Sequence, residues 1–266
     1  MDLQLNAKRA LVTGSSAGIG EAIAKALAAE GASGIVHGRS AERAGAVAEA
    51  IRSAGGRAEV ALGDLSLDEG ARAVAEAALA GGLVDILVNN AGSYEHATWD
   101  DVTSEAWSRT YESDVVSAFR LTQALIPGMR ERGWGRIIFI GSGSGWQPFA
   151  TQPQYCAPKG AMLSMTVSLA RHLRGTGVTS NIVTRGLIDV PSNRAFWTGM
   201  NQTRHFGDTW EEIEAAVVGE LLPNDVGLMG KPDDVGAVVA FLASPLSRFV
   251  SGANWRVDGG STTSIN

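Results

Sequence analysis

Apolar and polar positions change their period repeatedly along this 266-residue chain. Arg9 to Val12, Gly34 to His37, Ala58 to Leu62, Asp85 to Val88, Arg136 to Ile140, Val178 to Thr184 and Asn254 to Val257 are short runs with the pattern of buried strands. Longer stretches at helical spacing lie between them. Ile19, Ala22, Ile23, Ala26 and Leu27 fall at i, i+3, i+4, i+7 and i+8, which is one helix face. Further helical stretches cover Ala41 to Ala54, the residues from Ser66 to Gly81-Gly82, Ser104 to Arg132 with a break expected near Pro127-Gly128, and Asp233 to Ala243. Another helix carries Tyr155 and Lys159, and it must begin close before Pro158, since a proline deeper inside removes a backbone bond. This alternation predicts βαβ units: an α/β fold with a doubly wound parallel sheet of about seven strands and helices on both faces. Residues from about 190 to 230 carry prolines and glycines and no β pattern. Glu211 to Leu222 inside them is helical in pattern, so the segment reads as a lid with its own helices. No repeat or linker interrupts the chain, and residues 1–266 read as one domain.

Composition narrows the class. A hydrophobic fraction of 45% with 19% charged residues belongs to a globule rather than a disordered chain. A formal charge of -6, with no block of Lys or Arg, argues against a nucleic-acid partner. The single cysteine, Cys156, has no internal partner, which suits a reducing compartment. The N-terminus lacks the pattern of a signal peptide, and no apolar run approaches the ~18 residues of a membrane span. The expectation is a cytoplasmic protein without a membrane partner. The histidines, His37, His96, His172 and His205, are scattered, and no His/Cys/acid cluster has ligand spacing, so no metal is expected.

The stretch between the first strand and the first helix carries chemistry. Thr13-Gly14-Ser15-Ser16-Ala17-Gly18-Ile19-Gly20 is a glycine turn in the strand–turn–helix context that a dinucleotide phosphate site requires, and the fold is therefore Rossmann-like. Glycine lets the main chain approach a ligand closely, and the positive end of the helix favours a pyrophosphate. Further along come Asn89-Asn90-Ala91-Gly92, then Ser142 after the clearest strand, then Tyr155 and Lys159 on one helix face. A tyrosine can supply the proton that an alkoxide needs when a hydride reaches a carbonyl. Its unperturbed pKa of ~10 is high for this work near neutrality, and a neighbouring ammonium favours the phenolate.

Thr13-Gly14-x-x-x-Gly18-x-Gly20, the Asn89–Gly92 motif, Ser142, Tyr155-x-x-x-Lys159 and the ending Gly252 to Gly260 together resemble the short-chain dehydrogenase/reductase family over nearly the whole chain. The resemblance implies Tyr155 as general acid/base, Lys159 as its electrostatic partner and holder of the nicotinamide ribose, and Ser142 as the donor to the substrate oxygen. It implies cofactor contacts at Gly14, Ser15, Ser16, Gly18, Ile19, Gly20, Asp64, Leu65, Asn90, Gly186 and Ile188, and a homo-oligomer, tetramer or dimer. Two positions depart from the family's pattern. Asp114 stands where the family's catalytic asparagine is expected. Either it keeps the helix geometry and changes little else, or its carboxylate neutralises Lys159 and raises the pH optimum relative to Asp114→Asn. Arg185 stands where the family usually has proline. It is read as a contact to the pyrophosphate or to an anionic substrate group, or else as a surface residue without such a role.

The second strand ends in His37-Gly38-Arg39-Ser40, without the acid that commonly bonds the adenosine ribose of NAD. Arg39 is placed to pair with a 2′-phosphate, with Ser40 or His37 beside it, so NADP(H) is favoured over NAD(H). Cys156 reads as an inert buried thiol. Substrate identity is assigned to three loops that include Trp146 and Phe149, then Phe196 and Trp197, with Tyr94, His96 and Trp99 nearby. Either these aromatics wall a mainly apolar pocket, or they pack the lid against the domain. The resulting expectation is an NADPH-dependent carbonyl reductase or alcohol dehydrogenase acting on a small molecule. The alternatives are a 3-oxoacyl thioester reductase, with Arg194 and Arg204 facing an acyl carrier, and a weakly catalytic NADP(H)-binding sensor or scaffold.

Overall fold

A computed structural model describes residues 1–263. The strands β1 (Arg9–Val12), β2 (Ser33–Gly38), β3 (Arg57–Leu62), β4 (Ile86–Asn89), β5 (Gly135–Ser142), β6 (Val178–Arg185) and β7 (Asn254–Val257) form one sheet in the order β3-β2-β1-β4-β5-β6-β7. Every pairing is parallel. The chain winds outward from β1 in one direction and from β4 in the other. This reversal opens a crevice at the carboxyl ends of β1 and β4, the place where such sheets take ligands.

Helices cover both faces because each central strand is apolar on both sides. One face buries α1 (Gly18–Ala29), α2 (Ala41–Ser53) and α9 (Pro232–Ala243) on Val12, Val36, Val88, Ile138 and Val183. The other buries α3 (Asp68–Ala80), α5 (Ser117–Glu131) and α6 (Pro153–His172) on Leu11, Ile35, Leu87, Ile137, Phe139 and Ile182. Along each strand, alternate residues supply the two cores.

The long helical stretch from Ser104 differs from expectation. It continues unbroken through Pro127 and changes type earlier, where α4 (Ser104–Tyr111) meets α5 through a π-helical turn at Glu112–Val116. Pro127 lies on the exposed side of α5, so the Gln123 carbonyl that loses its partner meets water. The widened turn holds Asp114. Pro158 lies in the second turn of α6, which starts at Pro153, five residues earlier. The lid holds α7 (Pro191–Arg204) and α8 (Trp210–Ala216), the latter running into a second π-helical turn at Val217–Leu221. Trp197, Ile213, Val217, Val218 and Met229 form its separate apolar core. Its two ends are joined at a neck, where Ile188 bridges to Gly230 and the Asp189 N–H donates to the Gly230 carbonyl at 2.7 Å. Among the described residues, no helix is long and apolar enough to cross a membrane.

Candidate active site

The glycine turn is fixed by neighbouring strands. Gly14 has φ +62°, a left-handed conformation that a side chain would strain, and a Cβ on Gly20 would lie 2.4 Å from the Gly14 carbonyl oxygen. Asn90 grips the turn: its amide donates to the Thr13 carbonyl at 2.8 Å and to the Gly14 carbonyl at 3.2 Å. Thr13 Oγ1 accepts from the Asn90 and Ala91 N–H groups at 2.9 and 2.8 Å. Ala17, which precedes α1, supplies no side-chain cap. The first-turn N–H groups of Gly18, Ile19 and Gly20 therefore point out of the helix end, free to meet an anion. This cradle of bare backbone fits a dinucleotide's phosphates.

His37 and Ser15 turn out to hold the turn from behind. His37 is 4% exposed; its Nδ1 accepts from the Gly14 N–H at 2.9 Å, and its Nε2 faces the Gly63 carbonyl at 3.2 Å. Accepting at Nδ1 and donating at Nε2 fixes one neutral tautomer. Burial pushes its pKa below the ordinary histidine value. With both nitrogens engaged, His37 is no partner for a 2′-phosphate, which corrects that expectation. Ser15 is fully buried, its hydroxyl donating to the Val12 carbonyl at 2.7 Å and accepting from the His37 N–H at 2.9 Å. Ser16 borders the turn and remains half-buried.

Arg39 extends from the end of β2 with its side chain 75% exposed, 3.9 Å from an Asp64 carboxylate oxygen. Asp64 is turned back on its own loop, accepting from the Ser66 N–H at 3.0 Å and the Ser66 hydroxyl at 2.7 Å, and these bonds hold its pKa below the usual carboxylate value. Leu65 beside it is buried. Ser40 caps α2, accepting from the Arg43 N–H at 3.3 Å. An arginine this loosely paired is available to an anion.

The second half of the site is charged. Ser142 lies within β5, as its last residue, and pairs in register with Arg185 at the end of β6. In-register neighbours project from the same face of a sheet, so the two side chains share a face. The Ser144 hydroxyl donates to Ser142 Oγ at 3.0 Å, leaving the Ser142 hydrogen free for an incoming oxygen. Tyr155 and Lys159 are 5% and 6% exposed, one turn apart on α6. The Lys159 ammonium lies 5.6 Å from the Tyr155 ring centre.

Asp114 is wholly buried, and its Oδ2 lies 2.9 Å from Lys159 Nζ. That oxygen has no aligned hydrogen-bond donor among the described residues, so charge holds this pair. Oδ1 is the better solvated oxygen, accepting from the Ser93 N–H at 2.8 Å and the Ser113 hydroxyl at 2.7 Å. A Cβ at Gly92 would stand 3.0 Å from both carboxylate oxygens, so the Asn89–Gly92 motif makes room for the acid. Arg185 reaches inward rather than to the surface. Its Nη2 donates to the Tyr155 hydroxyl at 2.8 Å and its Nη1 to the Gly186 carbonyl at 3.1 Å. Sequence reasoning missed this contact, because nothing in local spacing links a strand end to a helix 30 residues earlier. It also missed the supporting hydroxyls of Ser93, Ser113 and Ser144.

Around this group, Tyr94 meets Tyr155 edge to face at 5.2 Å between ring centres. Trp146 and Phe149 are 37% and 45% exposed, and Phe196 is half-buried with His96 stacked at 6.4 Å. Trp197 belongs to the lid's own core, against Phe196 at 4.9 Å. Arg194 is engaged by Asp189, at 2.6 and 2.5 Å through two nitrogens. Gly186 continues the sheet by donating to the Val257 carbonyl, and Ile188 is buried at the lid's neck. Burial pushes the Cys156 thiol above its ordinary range, which keeps it protonated.

Known proteins match this arrangement. The family model for short chain dehydrogenases matches residues 8–201. An uncharacterized oxidoreductase of Bacillus subtilis, YvaG, is 35% identical over the full length of both chains. The D-beta-hydroxybutyrate dehydrogenase of Cupriavidus necator is 36% identical, over 96% of this chain and 98% of that one. The crystal structure of L-sorbose reductase from Gluconobacter frateurii, complexed with NADPH and L-sorbose, superposes with a TM-score of 0.94 at 31% identity, covering all of both chains. With its sheet order, glycine turn and Ser142–Tyr155–Lys159 set, the chain belongs to the short-chain dehydrogenase/reductase family, oxidoreductases that bind a nicotinamide cofactor and act on CH–OH groups.

Proposed function

We propose that the protein is an NADP(H)-dependent carbonyl reductase, or in reverse an alcohol dehydrogenase, with Tyr155 as general acid/base. What carries this reading is that Ser142, Tyr155 and Lys159 are all buried and linked: Arg185 pairs in register with Ser142 and donates to the Tyr155 hydroxyl, and the Lys159 ammonium lies 5.6 Å from the Tyr155 ring centre. A reduced nicotinamide held here by the glycine turn and Lys159 would supply the hydride for a carbonyl carbon. Ser142 donates its free hydrogen to the substrate oxygen and orients it. As the carbonyl electron pair moves to that oxygen, the Tyr155 O–H bond breaks and its proton completes the alcohol; solvent later returns a proton to the phenolate. Gly18, Ile19 and Gly20 hold the phosphates through backbone N–H groups, while Lys159 is within one helical turn of the reacting hydroxyl. Asp64, Leu65, Asn90, Gly186 and Ile188 line the rest of the cofactor's path.

The NADP(H) preference rests on Arg39, exposed and weakly paired where an NAD site would carry an acid. That the L-sorbose reductase holds NADPH supports the same choice. The substrate proposed is a neutral ketone or aldehyde with apolar or ring-bearing substituents, bordered by Trp146, Phe149 and Phe196. The test follows loss of reduced-nicotinamide absorbance with aryl ketones, diketones, ketoses and acyl thioesters. Turnover of a carbonyl with NADPH, lowered about 10²- to 10⁴-fold in Tyr155→Phe with nucleotide binding retained, is the expected result. Tight NADPH binding without turnover of any member would favour a sensor instead.

A further inference from the structure

Both departures from the family pattern converge on the same two side chains. Asp114 sits 2.9 Å from the Lys159 ammonium, and Arg185 donates to the Tyr155 hydroxyl at 2.8 Å. A buried carboxylate in contact with an ammonium cancels most of its field at a third group, because the pair acts as a dipole rather than a charge. Lys159 is thereby weakened as the group that favours the Tyr155 phenolate. Arg185 restores one net positive charge to the cluster, as it would have with asparagine and proline in these two places. The charge has moved. It now touches the reacting oxygen instead of lying 5.6 Å from the ring centre.

We propose that Arg185 is a catalytic residue of this enzyme, supplying the positive charge that stabilises the Tyr155 phenolate while Asp114 holds Lys159 as a neutral pair. This rests on the reading of Tyr155 as the acid/base. A guanidinium has donors only and stays charged at all working pH values. The Tyr155 oxygen must accept from it, so the phenol hydrogen is directed away from Arg185 and left for another acceptor. The contact is charge-assisted from the start, and when that proton leaves it becomes an ion pair between guanidinium and phenolate, stronger still. The gain falls after proton transfer rather than before it, which is what assists the step. Other charged or titratable groups packed on Tyr155 are few. Tyr94 meets it edge-on, and burial pushes that phenol up, which keeps it protonated. Cys156 adjoins it on α6 with a protonated thiol. Arg256, on β7 in register with Thr184, and Asp258 just beyond the strand lie 3.2 Å apart and engage each other.

The chain has only three tyrosines, Tyr94, Tyr111 and Tyr155, so tyrosinate absorbance can be followed in the cofactor-free protein without any turnover. Titrations from about pH 6 to about pH 11 compare wild type, Tyr155→Phe, Arg185→Gln, Arg185→Lys and Asp114→Asn. Tyr155→Phe removes the earliest transition. Arg185→Gln moves that transition up by about one to two pH units, the size expected from losing a hydrogen bond to a charged group. Asp114→Asn moves it down, and Arg185→Lys holds it below the position in Arg185→Gln. Circular dichroism confirms that each variant is folded. An earliest transition that belongs to Tyr155 and stays in place in Arg185→Gln overturns the proposal, as does one that survives Tyr155→Phe. Absence of turnover would sink the proposed reductase activity while leaving this optical result readable.

Discussion

The glycine turn and the tyrosine cluster lie at the same edge of the sheet and are held by opposite means. The turn is neutral. Its shape comes from Gly14 in a left-handed conformation and from backbone groups bonded to Asn90, Thr13, Ser15 and His37. The cluster is a set of charges, Asp114, Lys159 and Arg185, gathered round one phenol. Backbone geometry tolerates almost no substitution without strain. Charges can exchange places as long as their balance at the reacting atom is kept. A recognition site built from main chain is therefore the rigid half, and the reaction site is the half in which residue types can vary together.

The largest effect expected from this contrast is on stability. Lys159→Met leaves the Asp114 carboxylate buried without its ammonium, a loss of about 3–5 kcal/mol in chemical denaturation. Asp114→Asn added to Lys159→Met recovers most of it. Equal stability of the single and double variants would mean that the pair is not ionised. Next in size is the turn. Gly14→Ala and Gly175→Ala both place a side chain at positive φ, +62° and +77°, and each costs about 1–3 kcal/mol. Only Gly14→Ala weakens nucleotide binding; equal affinities in the two would show that the turn is not the cradle.

Two smaller effects sharpen the neutral half. Arg39→Gln lowers the preference for NADPH over NADH by about tenfold or more, read from the two dissociation constants. An unchanged ratio would remove Arg39 from the phosphate's reach. His37 gives a pH dependence. Its folded pKa lies below the unfolded value, so the unfolded chain binds the proton more readily. The stability it contributes is present above about pH 6.5 and is lost as pH falls from there through the folded value. Denaturation midpoints measured between about pH 7.5 and pH 5 should fall more steeply in wild type than in His37→Gln.

What could be read from the sequence divides along the same line. The strands, the sheet class and the glycine turn were legible because periodicity and backbone conformation leave local marks: alternate burial, an invading proline, a glycine where a Cβ collides. Ser142, Tyr155 and Lys159 were legible as a set because their spacing matches a family. The partner of Arg185 was not. It depends on β5 and β6 lying in register and on α6 crossing them, so its readings ran to phosphate, substrate or surface. For Asp114 the neutralising reading named the contact now seen with Lys159, although the π-helical turn that brings it there left no mark. The residues of that turn, Glu112 to Val116, read the same whether it is α or π. His37 shows the converse: by sequence it is an alternative to Ser40 as a ligand partner, while two backbone groups behind it have first claim on its ring.

On the proposal made above, the positive charge serving Tyr155 comes from Arg185 in place of Lys159. A double-mutant cycle on the pH dependence of kcat/KM tests it most directly, using Asp114→Asn, Arg185→Gln and the two combined. The fall of carbonyl-reducing activity with rising pH is expected to move up by about one to two units in Arg185→Gln and to move down in Asp114→Asn. In the combined variant it returns close to the wild-type position. Profiles that coincide for all four proteins would contradict it.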